Sequence, residues 1–359
     1  MGERTIEWPA VLSTLLRGED LDEDTAAAVM GTMMRGEAED SQIAGLLVAL
    51  HAKGESPSEI AGFVRAMLVA AEPLGLEPDA VAPLVDVVGT GGDGAGTFNI
   101  STVAAVVVAA AGQPVAKHGN RAASSRCGCA DLLEAWGIDI ELPPAAVATC
   151  LRELGITFLY ARSFHPAMRH VAPVRQQLGI RTAFNVLGPL SNPAGAPHQA
   201  VGVADARLAP IMADALARLG KRHALVFRGE DGLDELTTTG PSQVWEVRDG
   251  AVTHAVFDPA ELGIPRAQLD DLVGGDAATN AEIADAVLAG EGGPQADIVA
   301  LNAAAALYAA DAVGDLAAGL DRAREVLASG AAVDLKRRWV TRTKELAGTS
   351  SHPGGPAGG

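Results

Sequence analysis

The chain has little of what several classes of protein require. Three cysteines are an odd number, and a single residue separates Cys127 from Cys129, which suits neither a disulfide framework nor a zinc site. The longest purely apolar run, Val103 to Ala111, is far shorter than the roughly 20 residues of a membrane-spanning helix. The first ten residues contain no secretory or myristoylation signal. We therefore expect a cytoplasmic protein with reduced thiols and no membrane partner.

Acidic residues are abundant overall but are missing from two long segments. The net charge of −18 argues against a nucleic-acid partner, because such partners are held mainly by Lys and Arg. Neither 94–130 nor 154–204 contains an Asp or Glu, although the chain has 45 acids in 359 residues. Both segments are locally basic, which predicts an anion-binding cleft. Their basic residues are Lys117, His118, Arg121, Arg126, Arg162, His165, Arg169, His170, Arg175 and Arg181.

The hydrophobic pattern changes along the chain. Residues 8–72 have apolar side chains at helical spacing and contain breakers that divide them into four short helices. After Pro83, short β-branched runs alternate with helices, which is typical of an α/β sheet. The predicted strands are 84–88, 114–117, 156–161 and 223–228, and Asp249-Gly250 predicts a hairpin between 243–247 and 251–257.

We therefore predict an α/β protein with a small N-terminal all-helical domain and a large α/β domain. The large domain has a central, mostly parallel mixed sheet flanked by helices. We expect the helical domain to span residues 1–80, joined by helices within about 170–195, and the large domain to span 81–347. A disordered tail is expected at 348–359, where the sequence is GTSSHPGGPAGG.

A glycine-rich segment, Gly89-Thr90-Gly91-Gly92-Asp93-Gly94, follows the first predicted strand. It matches the dinucleotide-binding string, but the acid expected about 20 residues further on is missing, since the chain is acid-free until Asp131. Five glycines within eight positions are more than a tight turn requires. Glycines after a strand let backbone N–H groups approach phosphate. The segment Asn99-Ile100-Ser101-Thr102 follows, where a helix begins and offers further unpaired N–H groups.

Two further motifs stand at the ends of predicted strands. Lys117-His118-Gly119-Asn120-Arg121 follows the second strand and provides a cation for phosphate and an amide for a neutral group. Asp234-Glu235 follows the strand at 223–228. Adjacent acids are often only a solvated loop, but two carboxylates also suit the Mg²⁺ ions that hold a pyrophosphate.

Six motifs in this order resemble the anthranilate phosphoribosyltransferase family, and the resemblance extends from the first helices to about residue 340. They are the glycine segment, Asn99-Ile100-Ser101-Thr102, Lys117 to Arg121, HPAMRHVAPVRQQLG at 165–179, NVLGPLSNP at 185–193, and Asp234-Glu235-Leu236-Thr237. The resemblance implies transfer of the phosphoribosyl group of phosphoribosyl pyrophosphate (PRPP) to the amine of anthranilate, in tryptophan biosynthesis. It also implies two Mg²⁺ ions per site and a homodimer formed through the helical domain.

The resemblance assigns roles to individual residues. For PRPP, it implies Gly89, Gly92, Asp93, Thr97, Asn99, Ile100, Ser101, Thr102, Lys117, Asn120, Ser124, Ser125 and Cys129. For anthranilate, it implies Gly89, His118, Asn120 and Arg175. For metal, it implies Ser101, Asp234 and Glu235. The catalytic residues are then Lys117, His118 and Arg175, and His118 is the candidate for a general base. The family usually has serines at Cys127 and Cys129, of which the second contacts PRPP, and a thiol is a weaker donor.

The implied mechanism relies on departure of the leaving group, because the amine of anthranilate is a poor nucleophile. Magnesium and cationic walls would stabilise charge on pyrophosphate while C1 of the ribose becomes oxocarbenium-like. A pyrimidine nucleoside phosphorylase, which has the same architecture, is the alternative enzyme; Asn120 and the Asp234-Glu235 pair argue against it. A nucleic-acid-binding relative of this fold would need a basic face, which the charge of −18 disfavours.

Overall fold

The computed structural model describes residues 6–122 and 125–350, with backbone only for 349 and 350. Short 3₁₀ helices span Pro166–His170, Pro259–Leu262 and Leu269–Leu272. The α-helices in the described ranges are α1 (Trp8–Leu16), α2 (Glu23–Met34), α3 (Asp40–Lys53), α4 (Pro57–Val69), α5 (Pro78–Val81), α6 (Ile100–Ala110), α7 (Cys129–Ala135), α8 (Pro144–Leu154), α9 (Ala161–Phe164), α10 (Ala172–Leu178), α11 (Phe184–Leu190), α12 (Leu208–Arg218), α13 (Ala277–Leu288), α14 (Pro294–Ala309), α15 (Leu316–Ser329) and α16 (Ala331–Ser350).

One mixed sheet lies at the centre of the large α/β part. Its strands are β1 (Val85–Gly89), β2 (Val115–Gly119), β3 (Ile156–Tyr160), β4 (His198–Gly202), β5 (His223–Gly229), β6 (Ser242–Arg248) and β7 (Ala251–Phe257). The strand order is β3-β2-β1-β4-β5-β6-β7. The first five in this order pair in parallel, and β6 and β7 pair antiparallel. Strands β2 and β3 are therefore added on one side of β1, and β4 to β7 are added on the other side. Where the order of the strands switches sides, between β1 and β4, a crevice forms at their carboxyl ends.

The predicted fold class is confirmed, and one strand was missed. The four N-terminal helices, the four predicted parallel strands and the hairpin are present, with strand bounds shifted by at most two residues. Asp249 and Gly250 have φ of 50° and 80°, as a two-residue hairpin with a type I′ turn requires. The missed strand, β4, is only five residues long and begins with His198 and Gln199, whose polar side chains are buried. His198 Nδ1 lies 2.8 Å from Ala309 O, and Gln199 Nε2 donates to Pro189 O at 2.6 Å.

The central strands are buried on both faces, and each face belongs to a different hydrophobic cluster. Val87 faces the cluster that contains α6, α7 and α13 to α16. The next residue, Val88, faces the cluster that contains α1 to α4 and α10 to α12. This alternation follows from the two-residue period of a strand. The N-terminal helices consequently share a continuous core with one face of the sheet.

The C-terminal helix is longer than predicted. It continues to Ser350, so residues 348–350 are helical rather than part of a disordered tail. The remainder of that segment, 351–359, lies outside the described residues.

Candidate active site

The glycine segment lies at the crevice between β1 and β4. Gly89 ends β1 and pairs with Gly202, which ends β4. A Cβ atom at either glycine would overlap Asp234, which packs over both strand ends. Glycine at these two positions therefore allows the acidic loop after β5 to reach the crevice.

The loop between β1 and α6 is held in a conformation that glycine permits. Gly91 and Gly92 have φ of 66° and 80°, a region that other residues rarely occupy. The Gly91 N–H donates to Asp234 Oδ2 at 2.6 Å, and Asp93 Oδ1 accepts from Ala95 N at 3.1 Å. Further along, Thr97 forms an isolated bridge with Val273. The loop thus brings Asp93 and Asp234 to one place.

The start of α6 faces the same crevice. Ser101 N donates to Glu235 Oε1 at 3.1 Å. Asn99 is occupied within the protein, because its Nδ2 donates to Cys127 O at 3.2 Å and its Oδ1 accepts from Asn280 Nδ2 at 2.9 Å. The side chain of Ile100 is buried in the core.

Within this second predicted motif, the last residue, Thr102, is also buried. Its Oγ1 has no hydrogen-bond partner among the described residues. Among the residues of this motif, Ser101 contacts the acidic pair through its backbone N–H.

The acidic pair lies in the loop after β5. Glu235 is buried, and Asp234 is half-buried. Burial and the neighbouring Asp93 raise the pKa of Asp234 to about 7. Burial and the charge of Asp234 raise the pKa of Glu235 well above its ordinary value. No ion pair joins either carboxylate to a cation in the part of the chain that the structure describes. A cation bound beside them would therefore lower the pKa values of both groups.

Two residues that the sequence did not single out hold this loop in place. Asn302, buried on α14, accepts from Leu236 N at 2.9 Å and donates to Leu236 O at 3.0 Å. Asp231 Oδ2 accepts from the hydroxyls of Thr237 and Thr239, each at 2.6 Å. The backbone on both sides of the acidic pair is therefore anchored.

Lys117 and His118, at the end of β2, are both buried. The Lys117 ammonium donates to Val87 O. His118 Nδ1 lies 3.1 Å from Gly188 O, and because a carbonyl oxygen only accepts, the ring proton must be on Nδ1. Burial and His165 lower the pKa of His118 to about 3. The ring is therefore neutral, and Nε2, which has no partner among the described residues, carries a free lone pair.

Arg121 is not available for an anion, contrary to its place among the predicted cations. Its guanidinium pairs with Glu134 and Asp131 and donates to Tyr160 OH at 3.1 Å. Asn120, beside it, is exposed and uses its Oδ1 to accept from Arg121 N at 2.8 Å. Pairing with acids later in the chain could not be foreseen from a local run of basic residues.

The segment after this turn contains the remaining predicted phosphate contacts. Ser124 lies outside the described residues. Ser125 Oγ donates to Cys127 O at 3.4 Å. Cys129 begins α7, and its thiol donates to Asn120 O at 3.1 Å. Cys129 therefore supports the turn that carries Asn120.

Arg175 lies on α10, apart from the acidic pair. Its guanidinium stacks on the Phe184 ring, 4.9 Å from the centroid, and burial lowers its pKa. It has no carboxylate partner among the residues described, and no hydrogen bond joins it to Asn120. By contrast, Arg181 reaches the glycine loop, where it donates to Gly92 O at 3.3 Å.

Two features are absent from the described residues. No helix within 6–122 or 125–350 is long and apolar enough to cross a membrane. No group of three or more His, Cys, Asp or Glu side chains in the same ranges is arranged to hold a metal.

Comparisons with known proteins cover nearly the whole chain. The model of the glycosyl transferase family a/b domain matches residues 81–333, and that of the helical bundle domain matches residues 9–71. The anthranilate phosphoribosyltransferase of Salinispora arenicola is 54% identical over 95% of this chain and 97% of its own. The enzyme of Arthrobacter sp. is 53% identical over 94% of this chain and 96% of its own.

Solved structures agree with these relatives. The anthranilate phosphoribosyltransferase of Thermus thermophilus is 51% identical, with a TM-score of 0.87 over 93% of this chain and 99% of its own. The enzyme of Saccharomyces cerevisiae, in complex with PRPP and Mg, is 26% identical, with a TM-score of 0.86 over 96% of this chain and 100% of its own. The same yeast enzyme in complex with 4-fluoroanthranilate has a TM-score of 0.83 and covers 94% of this chain and 98% of its own.

Proposed function

The chain belongs to the anthranilate phosphoribosyltransferase family, and on that premise we propose that it transfers the phosphoribosyl group of PRPP to the amine of anthranilate. The products are N-(5-phosphoribosyl)anthranilate and pyrophosphate. One observation carries the proposal: N–H groups from the glycine loop and the α6 N-terminus meet the Asp234-Glu235 pair at the β1–β4 crevice. Such a combination suits a phosphate chain held together with a cation.

Magnesium fits the donor set at this crevice. Asp234 and Glu235 are adjacent carboxylates, and their hydrogen bonds come from backbone N–H groups rather than cationic side chains. Magnesium takes one or two protein carboxylates and completes its shell with phosphate and water oxygens. We propose two ions per site, held by Asp234, Glu235 and the Ser101 hydroxyl. When bound, magnesium supplies positive charge that stabilises the departing pyrophosphate.

The positions of the loops support our proposal for the remaining phosphate contacts. The glycine loop residues Gly89 to Thr97 and the start of α6 would bind the pyrophosphate and ribose through their N–H and hydroxyl groups. Lys117 and the serines that follow it would bind phosphate oxygens. Because the backbone of these segments is held by the sheet before the substrate arrives, the donor groups themselves need not move to stabilise charge on the leaving group. C1 of the ribose would then become oxocarbenium-like as the bond to pyrophosphate lengthens.

Anthranilate would bind between β2 and α10. The guanidinium of Arg175 has no carboxylate partner among the described residues and is suited to the carboxylate of anthranilate. The exposed amide of Asn120 lies at the end of β2. The free lone pair of His118 Nε2 can accept an N–H from the amine and so direct its nitrogen towards C1. His118 is also the candidate to take the proton that the amine loses once the C–N bond forms.

We propose that the protein is a homodimer that associates through its N-terminal helices. Large apolar side chains are exposed there, with Leu16 of α1 at 79% and Val69 of α4 at 84%. The division into a helical domain (1–80), joined by helices within about 170–195, and a large domain (81–347) is proposed with it. Sedimentation velocity would measure the oligomeric state, and a monomer at micromolar concentration would contradict the dimer.

A direct assay tests the reaction. Purified protein is mixed with Mg²⁺, PRPP and anthranilate, and the fluorescence of anthranilate is followed as it is consumed. We expect the signal to fall only when all three are present, and mass spectrometry should detect the phosphoribosylated product. Unchanged fluorescence, or phosphorolysis of a pyrimidine nucleoside by the same preparation, would overturn the proposed function.

A further inference from the structure

The N–H groups best placed to bind phosphate are already occupied by the protein's own carboxylates. Gly91 N donates to Asp234 Oδ2 at 2.6 Å, and Ser101 N donates to Glu235 Oε1 at 3.1 Å. Gly91 belongs to the glycine loop, and Ser101 is the second residue of the eleven-residue helix α6. Both donors lack any other acceptor in the described part of the chain. The two acids therefore make the contacts that a bound anion would otherwise make.

A carboxylate in this position accepts the same N–H hydrogen bonds that a phosphate oxygen would accept. A helix N-terminus stabilises negative charge through its unpaired N–H groups, whether the charge is on a side chain or a ligand. A hydrogen bond from a backbone N–H to a carboxylate is also stronger than one between neutral groups. Each N–H has one hydrogen to donate, so pyrophosphate and the acidic pair compete for it.

The backbone of the acidic loop is fixed, which restricts how this competition can be resolved. Asn302 holds Leu236 through both its N–H and its C=O, and Asp231 holds Thr237. The carboxylates can therefore leave the donors by rotation about side-chain bonds, without movement of the loop. Loss of these hydrogen bonds is favourable only if a cation becomes available to bind the carboxylates.

We propose that Asp234 and Glu235 act as an internal substitute for pyrophosphate in the metal-free protein, and that they free the Gly91 and Ser101 N–H groups when they turn to a divalent cation. This inference rests on the proposed function of the site. The acidic pair thus has a second role besides holding metal, because it keeps the phosphate site closed until a cation is present. Phosphate groups without a divalent cation should consequently bind poorly.

Simple repulsion between like charges would also weaken binding without metal, so the test must separate charge from occupation of the donors. The variant D234A/E235A removes both the charges and the acceptor atoms. The variant D234N/E235Q removes the charges but retains amide oxygens that can still accept from Gly91 and Ser101. If occupation of the Gly91 and Ser101 N–H groups weakens binding, the two variants should differ in their affinity for pyrophosphate without metal. If charge repulsion alone weakens binding, the two variants should have the same affinity.

Isothermal titration calorimetry with inorganic pyrophosphate provides the measurement. In EDTA, we expect D234A/E235A to bind pyrophosphate at least about tenfold more tightly than the wild type, and D234N/E235Q to gain clearly less. In excess Mg²⁺, the order should reverse, with the wild type binding most tightly. An equal gain by both variants in EDTA, or no gain by either, would overturn the inference.

Amide hydrogen exchange tests the same idea in the wild-type protein. The Gly91 and Ser101 amides should exchange slowly in EDTA and faster once Mg²⁺ is added alone, and unchanged rates would count against the inference. If the wild type does not bind pyrophosphate even with Mg²⁺, the proposed function fails. If it binds with Mg²⁺ but the variants and the exchange rates show no effect, only the present inference fails.

Discussion

At the start of β5, polar and charged side chains are paired with one another, whereas the loop after its other end holds two carboxyl groups that form no ion pair with any described residue. His223, fully buried, contacts Asp311 at 2.9 Å and Glu246 at 3.0 Å through its two ring nitrogens. Arg248 lies within 3.3 Å of both acids. Asp234 and Glu235 have no such partners in the described ranges. Burying unpaired charge costs stability, so the second arrangement indicates a place for a ligand.

The largest expected effect follows from removing the charge of the unpaired acids. In D234N/E235Q, we expect turnover to fall on the order of a thousandfold, because the groups that we propose to hold magnesium against pyrophosphate lose their charge. The free energy of unfolding should stay the same or rise slightly, since two like charges no longer repel each other. Steady-state rates at increasing Mg²⁺, with urea unfolding as the control, would measure both. Full activity with an unchanged magnesium titration would show that the pair is only a solvated loop.

The next largest effect should appear at the paired end of β5. H223A removes a fully buried ring together with its hydrogen bonds to Asp311 and Glu246, and we expect it to lower the free energy of unfolding by about 3 kcal/mol. Turnover of the folded protein should change little, because His223 begins β5 and so lies at the opposite end of the strands from the crevice. H254A is the matched control: His254 is exposed, and its loss should stay within about 0.5 kcal/mol. A loss of activity in H223A without loss of stability would contradict the proposed difference between the start of β5 and the loop that follows it.

The same contrast applies to two arginines. Arg175 has no carboxylate partner in the described chain, whereas Arg248 pairs with Glu246 and Asp311. We expect R175A to raise the KM for anthranilate on the order of tenfold and to leave the KM for PRPP nearly unchanged. R248A should instead reduce stability with both KM values preserved. Equal effects of R175A on the two substrates would show that Arg175 does not bind anthranilate.

The smallest effect is expected for the thiol beneath the Asn120 turn. In C129S, the hydroxyl can donate to Asn120 O as the thiol does, so stability should change by less than about 0.5 kcal/mol. The KM for PRPP should be equal or lower, because a hydroxyl that turns from Asn120 O to a bound phosphate is a stronger donor than a thiol. A marked rise in that KM would mean that this protein depends on the thiol itself.

Local chemistry made several features predictable. The run of glycines after β1 anticipated the positive φ angles of the loop, and Asp249-Gly250 anticipated the hairpin, because both depend on residues close together in the chain. Strand β4 was missed because its buried polar side chains bond to α11 and α14. For the same reason, the pairing of Arg121 with Glu134 could not be predicted from a basic run.

By itself, the sequence determined the fold class, four of the five parallel strands and the family, because hydrophobic period and short motifs express local preferences. Only the tertiary structure decided which donors meet which acceptors. It brought Asp234 to Gly91, 143 positions away, and Glu235 to Ser101, 134 positions away. It also placed Asn302 behind the acidic loop. Such contacts depend on how the strands are ordered across the sheet, and no local pattern of residues encodes that order.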